Sequence, residues 1–591
     1  MPLSSSSSPR FGPRYKGGAR GPSFRRERRG PSKVVVVLVL VVLLAAAGSI
    51  AFVLHSRAQQ RERERLQAAA VQVTVDYLAA WSAGDAGAAA ALVAPERREV
   101  ARTLLAKVRT DMKAVTTSFV PEGEVVSVEP GAGVGYAAKV TVRGLGETAW
   151  QGRVPLVREG TSWAVDFTPE VVHPSLSDGG RFAYARTTPT RGKVLLANGT
   201  SMADGSAGEL ASTLRGEVKE AGSDADAAAA GPLFQKGDEI GTSGLQRAFN
   251  EKLQGQPGGS LKILDAAGKN VATLLSVKKA DGKDITSTLD PKAQQAAQQA
   301  LAPIRLPRSM VVLDARTGGV LAIAGGSLAT TGTYAPGSTF KVVTTVAALA
   351  NGVGPGTVLD CSATATVNGR TVRNAEGEVF GPLSFATAFA KSCNTWFARL
   401  PGKLGEGAQG IEALTKAAEL FGFQTGGPTG DSAAAQEAAK GVLPVASFGG
   451  TFPRPKDGAQ AAGQSFGQDL VLASPLQMAS VAGAIASGTW HKPRVTMDTP
   501  DVANPLPAGT AETVRGFMAG VVSPGGTAGK VGFPGGVVGK PGTAEVAGQK
   551  DNSWFIALRG NVAVACEVTG GGFGADTAAP AVSRFFSLYP G

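Results

Sequence analysis

Residues 34–54 run for 21 positions without a charged side chain, about the length that a helix needs to cross the hydrocarbon of a bilayer. A segment of that kind divides the chain, because the residues before it and those after it lie on opposite sides of one membrane. The preceding stretch carries nine basic residues (Arg10, Arg14, Lys16, Arg20, Arg25, Arg26, Arg28, Arg29 and Lys33) against Glu27, and an excess of Lys and Arg marks the cytoplasmic side. The expectation is a single-pass anchor in the cell membrane, N-terminus cytoplasmic, with everything from Gln59 onward extracellular. A signal peptide cleaved at Ala45-Ala46-Ala47-Gly48 competes with it; against that, the apolar run continues through Phe52 to Leu54. No cysteine lies near the span, which argues against a lipid-modified N-terminus.

The basic tail accounts for +8 of the formal +12. The remainder is close to balanced, so the high pI belongs to the tail and gives no reason to expect nucleic-acid binding. Residues 1–33, rich in Ser, Gly, Pro and Arg, read as disordered and free to touch anionic headgroups. Three cysteines and three histidines are scattered without metal-ligand spacing, so neither a metal nor a cofactor is expected. Cys361 and Cys393 share one segment and can pair in an oxidising exterior; three separate buried thiols are the alternative. Scarce histidine also weakens a Ser-His-Asp mechanism.

At 591 residues the chain should hold three or four domains, taking roughly 150 residues for each. After the span, residues 55–72 read as a charged linker helix. Helical periodicity continues over 73–93, interrupted at Gly84-Asp85, and again over 96–112; β-branched runs follow to Phe167. Helices followed by a curved antiparallel sheet give a small α+β cone over 73–170. Residues 171–288 are rich in glycine and weakly periodic, which suits a spacer, and the Ala221–Gly231 stretch reads as a loop. A helix over 290–301 then leads to a hairpin, Met310–Leu313 and Val320–Ile323. From there to the C-terminus, helices and late strands fit a sheet flanked by helices within 289–591.

Chemistry concentrates in three places. Ser338 and Lys341 follow a Pro336-Gly337 break at the head of an apolar run, one turn apart and on one helix face. Burial would lower the lysine pKa and let it take the serine proton. A second Ser-x-x-Lys match, Ser276 and Lys279, lies in a strand-like stretch and reads as chance. Next comes Ser392-Cys393-Asn394, after the apolar helix 385–390: a hydroxyl that could relay a proton and an amide that could bind a substrate backbone. Last is Lys540-Pro541-Gly542-Thr543, ahead of the strand 553–558, where a lysine can hold a carboxylate and a glycine could let substrate lie against the backbone.

These three elements in this order resemble the active-site serine penicillin-recognising superfamily, and within it the class B penicillin-binding proteins. Tyr334–Lys341, Gly467-Gln468, Ser474–Ala479 and Lys540–Glu545 carry the likeness. Tyr77–Val93 and Trp163–Pro174 are similar to an NTF2-like domain, and Pro189-Thr190-Arg191-Gly192 resembles the start of a pedestal, or dimerisation, domain. The resemblance implies a multidomain α+β protein: membrane span, NTF2-like cone, pedestal, and a transpeptidase domain whose antiparallel sheet is flanked by helices. It implies Ser338 as nucleophile, Lys341 as base, Ser392 as proton bridge and Asn394 as a ligand of the donor peptide. Lys540 and Thr543 would hold a terminal carboxylate, Gly542 would lie against substrate, and the N–H groups of Ser338 and Thr543 would form an oxyanion hole.

The implied activity is D,D-transpeptidation of peptidoglycan stem peptides, with β-lactams acylating the same serine and divisome or elongation proteins as partners. A β-lactamase and a catalytically weakened scaffold or sensor are the alternatives. Pro541 departs from the family's usual Thr or Ser, whose hydroxyl helps bind the carboxylate. Weaker recognition of peptide and β-lactam is expected, with the backbone unharmed if its nitrogen faces an open sheet edge.

Overall fold

The structure is a computed structural model that describes residues 32–122, 132–160, 162–204, 214–231, 234–405, 407–426 and 432–590. Nearly all of the basic tail lies outside these residues. The chain forms two compact units: one takes most of the sequence up to Pro174, the other most of it from Ser175 onward.

In the first unit a single helix, α1, runs from Lys33 to Ala83. The span, the linker helix and the first helix of the cone, expected as separate pieces, are one uninterrupted rod. Nothing breaks it: no proline lies inside, and the charged middle alternates in sign through Arg61, Glu62, Arg63, Glu64 and Arg65. It stops where Gly84 adopts φ 81°, the left-handed cap that glycine reaches without a Cβ clash. The apolar part is long enough to cross a membrane and none of it is buried. The C-terminal turns behave differently, since Tyr77, Leu78 and Trp81 are buried. Helices α2 (Ala86–Ala91) and α3 (Arg98–Asp111) follow. Four strands, β1 (Ala114–Glu122), β2 (Gly133–Val142), β3 (Gly146–Glu159) and β4 (Ser162–Val165), then form one sheet in sequence order. Trp81 stacks on Phe119 at 3.6 Å and meets Tyr136 edge-on at 6.0 Å, so an aromatic cluster fills the cone.

The second unit opens with β5 (Arg181–Thr187). Residues Asp224–Ala230, expected as a loop, form helix α4. Its alanines are the best helix formers, Ser223 caps it by accepting from the Asp226 N–H, and Asp224 and Asp226 favour the positive first turn. Strands β6 (Gly258–Leu264) and β7 (Asn270–Val277) complete a three-stranded sheet in the order β7-β6-β5. Arg191 of the Pro-Thr-Arg-Gly stretch reaches Gln246 Oε1 at 2.7 Å and Asn250 Oδ1 at 3.0 Å. A Cβ at the neighbouring Gly192 would meet the Lys283 carbonyl oxygen at 2.4 Å, which leaves room only for glycine.

Helix α5 (Pro291–Leu301), capped by Asp290 with Pro291 at its first position, leads into the hairpin β8 (Arg308–Asp314) and β9 (Gly319–Ala324). These join β10 (Val538–Ala544), β11 (Asn552–Arg559) and β12 (Val562–Val568) in a five-stranded sheet. Its order is β9-β8-β12-β11-β10, antiparallel throughout. Consecutive residues of β8, β11 and β12 are buried, so both faces are covered. Helix α5 and the last helix, Ala578–Leu588, pack against the sheet, as does the buried helix Pro475–Ser487. Among the described residues, this arrangement leaves β10 with a strand partner on one side only.

Between β9 and β10 lies helix α6 (Lys341–Ala350). Val342, Val343, Thr344, Thr345 and Val346 are a β-branched run that is unfavourable for an isolated helix. Tertiary burial overrides the propensity, as every residue from Lys341 to Ala348 is buried. The threonine hydroxyls are satisfied, Thr345 donating to the Lys341 carbonyl and Thr344 to that of Ser465, both at 2.7 Å.

Candidate active site

Ser338 lies in a 3-10 turn, Gly337–Phe340, that feeds directly into α6. The turn is pinned from two sides. Gly337 has φ 53° and a Cβ there would meet the Thr543 carbonyl oxygen at 2.5 Å; its N–H donates to the Gly467 carbonyl at 3.0 Å. Behind it Phe340 stacks on Phe452 at 5.4 Å.

Lys341 is fully buried, and four oxygens surround its Nζ: Ser392 O and Asn394 Oδ1 at 2.7 Å, Ser338 Oγ at 2.9 Å and Ser392 Oγ at 3.2 Å. Burial drives its pKa well below the usual lysine value, Lys540 lowers it further, and Glu378 opposes the shift. A neutral amine has two protons and one lone pair. The two shortest contacts are to carbonyl oxygens, which only accept, and they take both protons. The lone pair is then left for a hydroxyl, and Ser338 O–H can donate to it.

Ser392 and Asn394 come from the junction of α7 (Phe385–Ala390) and α8 (Asn394–Arg399). Ser392 has φ 57°, a left-handed conformation that costs a non-glycine residue roughly 1–3 kcal/mol. That turn places its Oγ between the two lysines, 3.2 Å from Lys341 Nζ and 2.8 Å from Lys540 Nζ. Asn394, expected to bind the donor peptide, is also engaged by the protein: Oδ1 accepts from Lys341 and Nδ2 donates to the Arg373 carbonyl at 3.2 Å.

Lys540 stands on β10 and is also fully buried; burial brings its pKa from 10.5 down to about 7. Its Nζ donates to Ser392 Oγ and, at 3.1 Å, to the Pro541 carbonyl. The Phe389 ring lies 5.7 Å from Lys540 Nζ, and the Phe397 ring 5.2 Å from Lys341 Nζ. Cation–π attraction favours the charged forms, but desolvation outweighs it at both lysines. Thr543 Oγ1 accepts from the Gly574 N–H at 3.3 Å and keeps its own proton to donate.

Neighbouring residues of this strand face opposite ways. A Cβ built on Gly574 would lie 2.5–2.8 Å from the N and O of Gly542 and 2.4 Å from the O of Trp554, its partner on β11. Gly542 therefore bonds inward to β11. Residues 541 and 543, which alternate with it, face the open edge, and Pro541 sits where no ladder partner needs an N–H. Gly542 itself differs from expectation. A Cβ on it would meet the Pro336 carbonyl at 2.8 Å and Thr339 Cγ2 at 2.9 Å, so the absent side chain lets the nucleophile's turn dock on the strand rather than making room for substrate. Gly542→Ala is expected to lower stability by about 1–3 kcal/mol through overpacking and to slow acylation of Ser338; thermal melting and a covalent-labelling rate measure the two effects.

Family models match three stretches: a penicillin binding protein transpeptidase domain over residues 308–586, a penicillin-binding protein dimerisation domain over 205–287, and an NTF2-like N-terminal transpeptidase domain over 69–180. The chain belongs to the class B penicillin-binding proteins. Peptidoglycan D,D-transpeptidase PbpA of Mycolicibacterium smegmatis is 29% identical over 307 residues, 44% of this chain and 57% of the relative. MrdA of Escherichia coli, another peptidoglycan D,D-transpeptidase, is 27% identical over 369 residues, 54% of this chain and 57% of the relative. Penicillin-binding protein 1A of M. smegmatis is 33% identical over 44% of this chain, but over only 30% of its own length. The chain thus spans between 30% and 57% of these curated relatives. In fold it is similar to Pseudomonas aeruginosa PBP2 in complex with WCK 5153, with TM-score 0.56 and 22% identity over 69% of this chain and 96% of that one. Helicobacter pylori PBP2 in its complex with MreC gives 0.58 and 17% over 69% and 99%.

The structure of this class B chain adds residues that motif reading did not name. Glu378 acts electrostatically on Lys341, and the carbonyl of Arg373 holds Asn394. Phe389 and Phe397 help enclose the lysines. Only the apolar helix 385–390 carried any signal for them. Cys361 and Cys393, left open between a pair and free thiols, form a disulfide, and Cys566 is buried and unbonded.

Proposed function

We propose that this chain is a membrane-held peptidoglycan D,D-transpeptidase working through an acyl-Ser338 intermediate. The observation that carries the reading is the buried Lys341 amine, whose Nζ lies 2.9 Å from Ser338 Oγ and 2.7 Å from both the Ser392 carbonyl oxygen and Asn394 Oδ1. Lys341 accepts the Ser338 proton as Oγ attacks the carbonyl carbon between the two terminal D-Ala residues of a stem peptide. The N–H groups of Ser338 and Thr543 receive the developing oxyanion, each worth a few kcal/mol in such sites. Ser392, touching both lysines, passes the proton to the departing D-Ala amine. An amine from a neighbouring strand then attacks the ester, and the proton path runs in reverse. Lys540 and the Thr543 hydroxyl bind the terminal carboxylate, and Asn394 holds Lys341 while its second Nδ2 proton is available to the donor peptide.

A strained β-lactam presents the same carbonyl and carboxylate, and its acyl-enzyme turns over slowly. The names of PbpA and MrdA support the peptidoglycan assignment. The basic tail supports a cytoplasmic N-terminus and an extracellular catalytic domain. Partnership with cell-wall machinery is supported by the MreC complex of H. pylori PBP2 and by a peptidoglycan synthase complex of similar fold. A catalytically weakened scaffold is the second reading, favoured by Pro541, which offers the carboxylate neither a hydroxyl nor an N–H.

Fluorescent penicillin followed by intact-mass measurement tests the proposal. A persistent adduct on Ser338 that is absent in Ser338→Ala is expected; drug turned over without an adduct would mean a β-lactamase, and no adduct at any dose would leave the scaffold. Pro541→Thr restores one hydroxyl donor to a carboxylate and is expected to raise the acylation rate about tenfold, measured by the same label.

A further inference from the structure

Cys393 separates Ser392 from Asn394, and its sulfur is bonded to Cys361, the last residue of strand Val358–Cys361. Both cysteines are buried. Beside the bond lies Asn374, also buried, whose side chain uses both ends. Its Nδ2 donates to the carbonyls of Ser362 at 3.0 Å and Glu378 at 2.9 Å, while Oδ1 accepts from the Thr395 N–H at 3.1 Å. The residue before it, Arg373, gives its carbonyl to Asn394 Nδ2. Thr395 Oγ1 donates to the same Ser362 carbonyl at 2.8 Å. Three pieces of chain, after Cys361, around Asn374 and at the start of α8, are thus tied together next to Ser392 and Asn394, both of which touch Lys341.

What this assembly holds is a conformation the chain would not keep unaided. Ser392 has left-handed backbone angles without being glycine, and such residues persist only where their surroundings over-determine them. The hydroxyl that bridges the two lysines and the carbonyl that accepts from Lys341 both belong to that residue.

We propose that the Cys361–Cys393 disulfide and Asn374 are positioning residues: together they form a brace that keeps Ser392 Oγ between Lys341 and Lys540 and Asn394 Oδ1 on Lys341. Acylation of Ser338 then depends on the oxidised state of this pair. The inference rests on the proposed acylation of Ser338. Reduction by a dithiol breaks the S–S bond, two electrons and two protons giving two thiols while the dithiol closes to its own disulfide. Cys566 offers no second bond to reduce, being buried and unbonded.

The test uses the full chain in detergent, oxidised, treated with dithiothreitol, and as the Cys361→Ser/Cys393→Ser double variant, with the redox state checked by intact mass. Acylation by fluorescent penicillin is followed over a range of concentrations. The saturating rate constant is expected to fall on the order of ten- to a hundredfold in reduced and double-variant protein, the half-saturating concentration moving less than twofold. Reoxidation should restore the reduced protein and leave the variant unchanged, and Asn374→Ala should give part of the loss with the disulfide intact. Rates within twofold of the oxidised chain in both samples would overturn the brace. So would a loss carried by half-saturation, which would mean general damage to the binding face. Failure of oxidised protein to label at Ser338 would instead overturn the function on which the inference stands.

Discussion

Lys341→Met should slow acylation of Ser338 by about two to four orders of magnitude, the range that a positioned general base contributes. Methionine fills a similar volume, so the loss should come from chemistry rather than from a collapsed core. Without the amine, the oxygens that remain around its place, the Ser392 carbonyl and the Asn394 amide oxygen, are far weaker bases for the Ser338 proton. Lys341→Arg should fail as badly, because a guanidinium stays charged. The second-order rate constant for penicillin labelling, measured from pH 5 to 9, checks both. In the wild type the rate should fall on the acid side as Lys341 takes up a proton, and that limb should vanish in Lys341→Met. A methionine variant within tenfold of wild type would remove lysine from the role of base.

Lys540→Met is expected to stabilise the catalytic domain while impairing it. Burial brings the Lys540 pKa from 10.5 to about 7. Between those values the unfolded chain binds more protons than the folded one, so this residue makes stability rise with pH from about 7 to about 10.5. At pH 7 the penalty is on the order of 4–5 kcal/mol. Denaturant unfolding of the variant should show a gain of that order at pH 7 and a flatter pH dependence above it, Lys341 supplying what remains. The same change removes the positive neighbour that helps hold the Lys341 pKa down, so the acid limb of acylation should move to higher pH. Loss of stability at pH 7 would show that Lys540 is better paired than its two neutral acceptors suggest.

Much of this site was legible in the sequence because its parts are local. Ser338 and Lys341 meet through helical spacing alone, and Ser392 and Asn394 flank one residue. Contacts made by distant chain were not legible. Gly542 reads as a bare backbone awaiting substrate until Pro336 and Thr339, some 200 positions earlier, turn out to occupy the space. Asn394 reads as a free amide until Arg373 and Lys341 claim both ends of it. In the fold, α6 was found by its apolar run despite β-branched residues, whereas α4 was missed because Gly, Ala and Asp together also suit a loop, and only the Ser223 cap separates the two.

Helix α1 remains continuous from the apolar segment into the cone, where Trp163 Nε1 donates to the Leu66 carbonyl at 3.0 Å. With residues 34–54 in a bilayer, the 12 residues that follow Leu54, up to Leu66, raise the cone about 18 Å above the membrane at 1.5 Å each. That height is set by a stiff post and not by a slack tether. Removing one residue would lower the cone by a fraction of its height yet swing it by about 100° around the post, so the number of residues in this exposed stretch fixes the heading of the cone as well as its altitude.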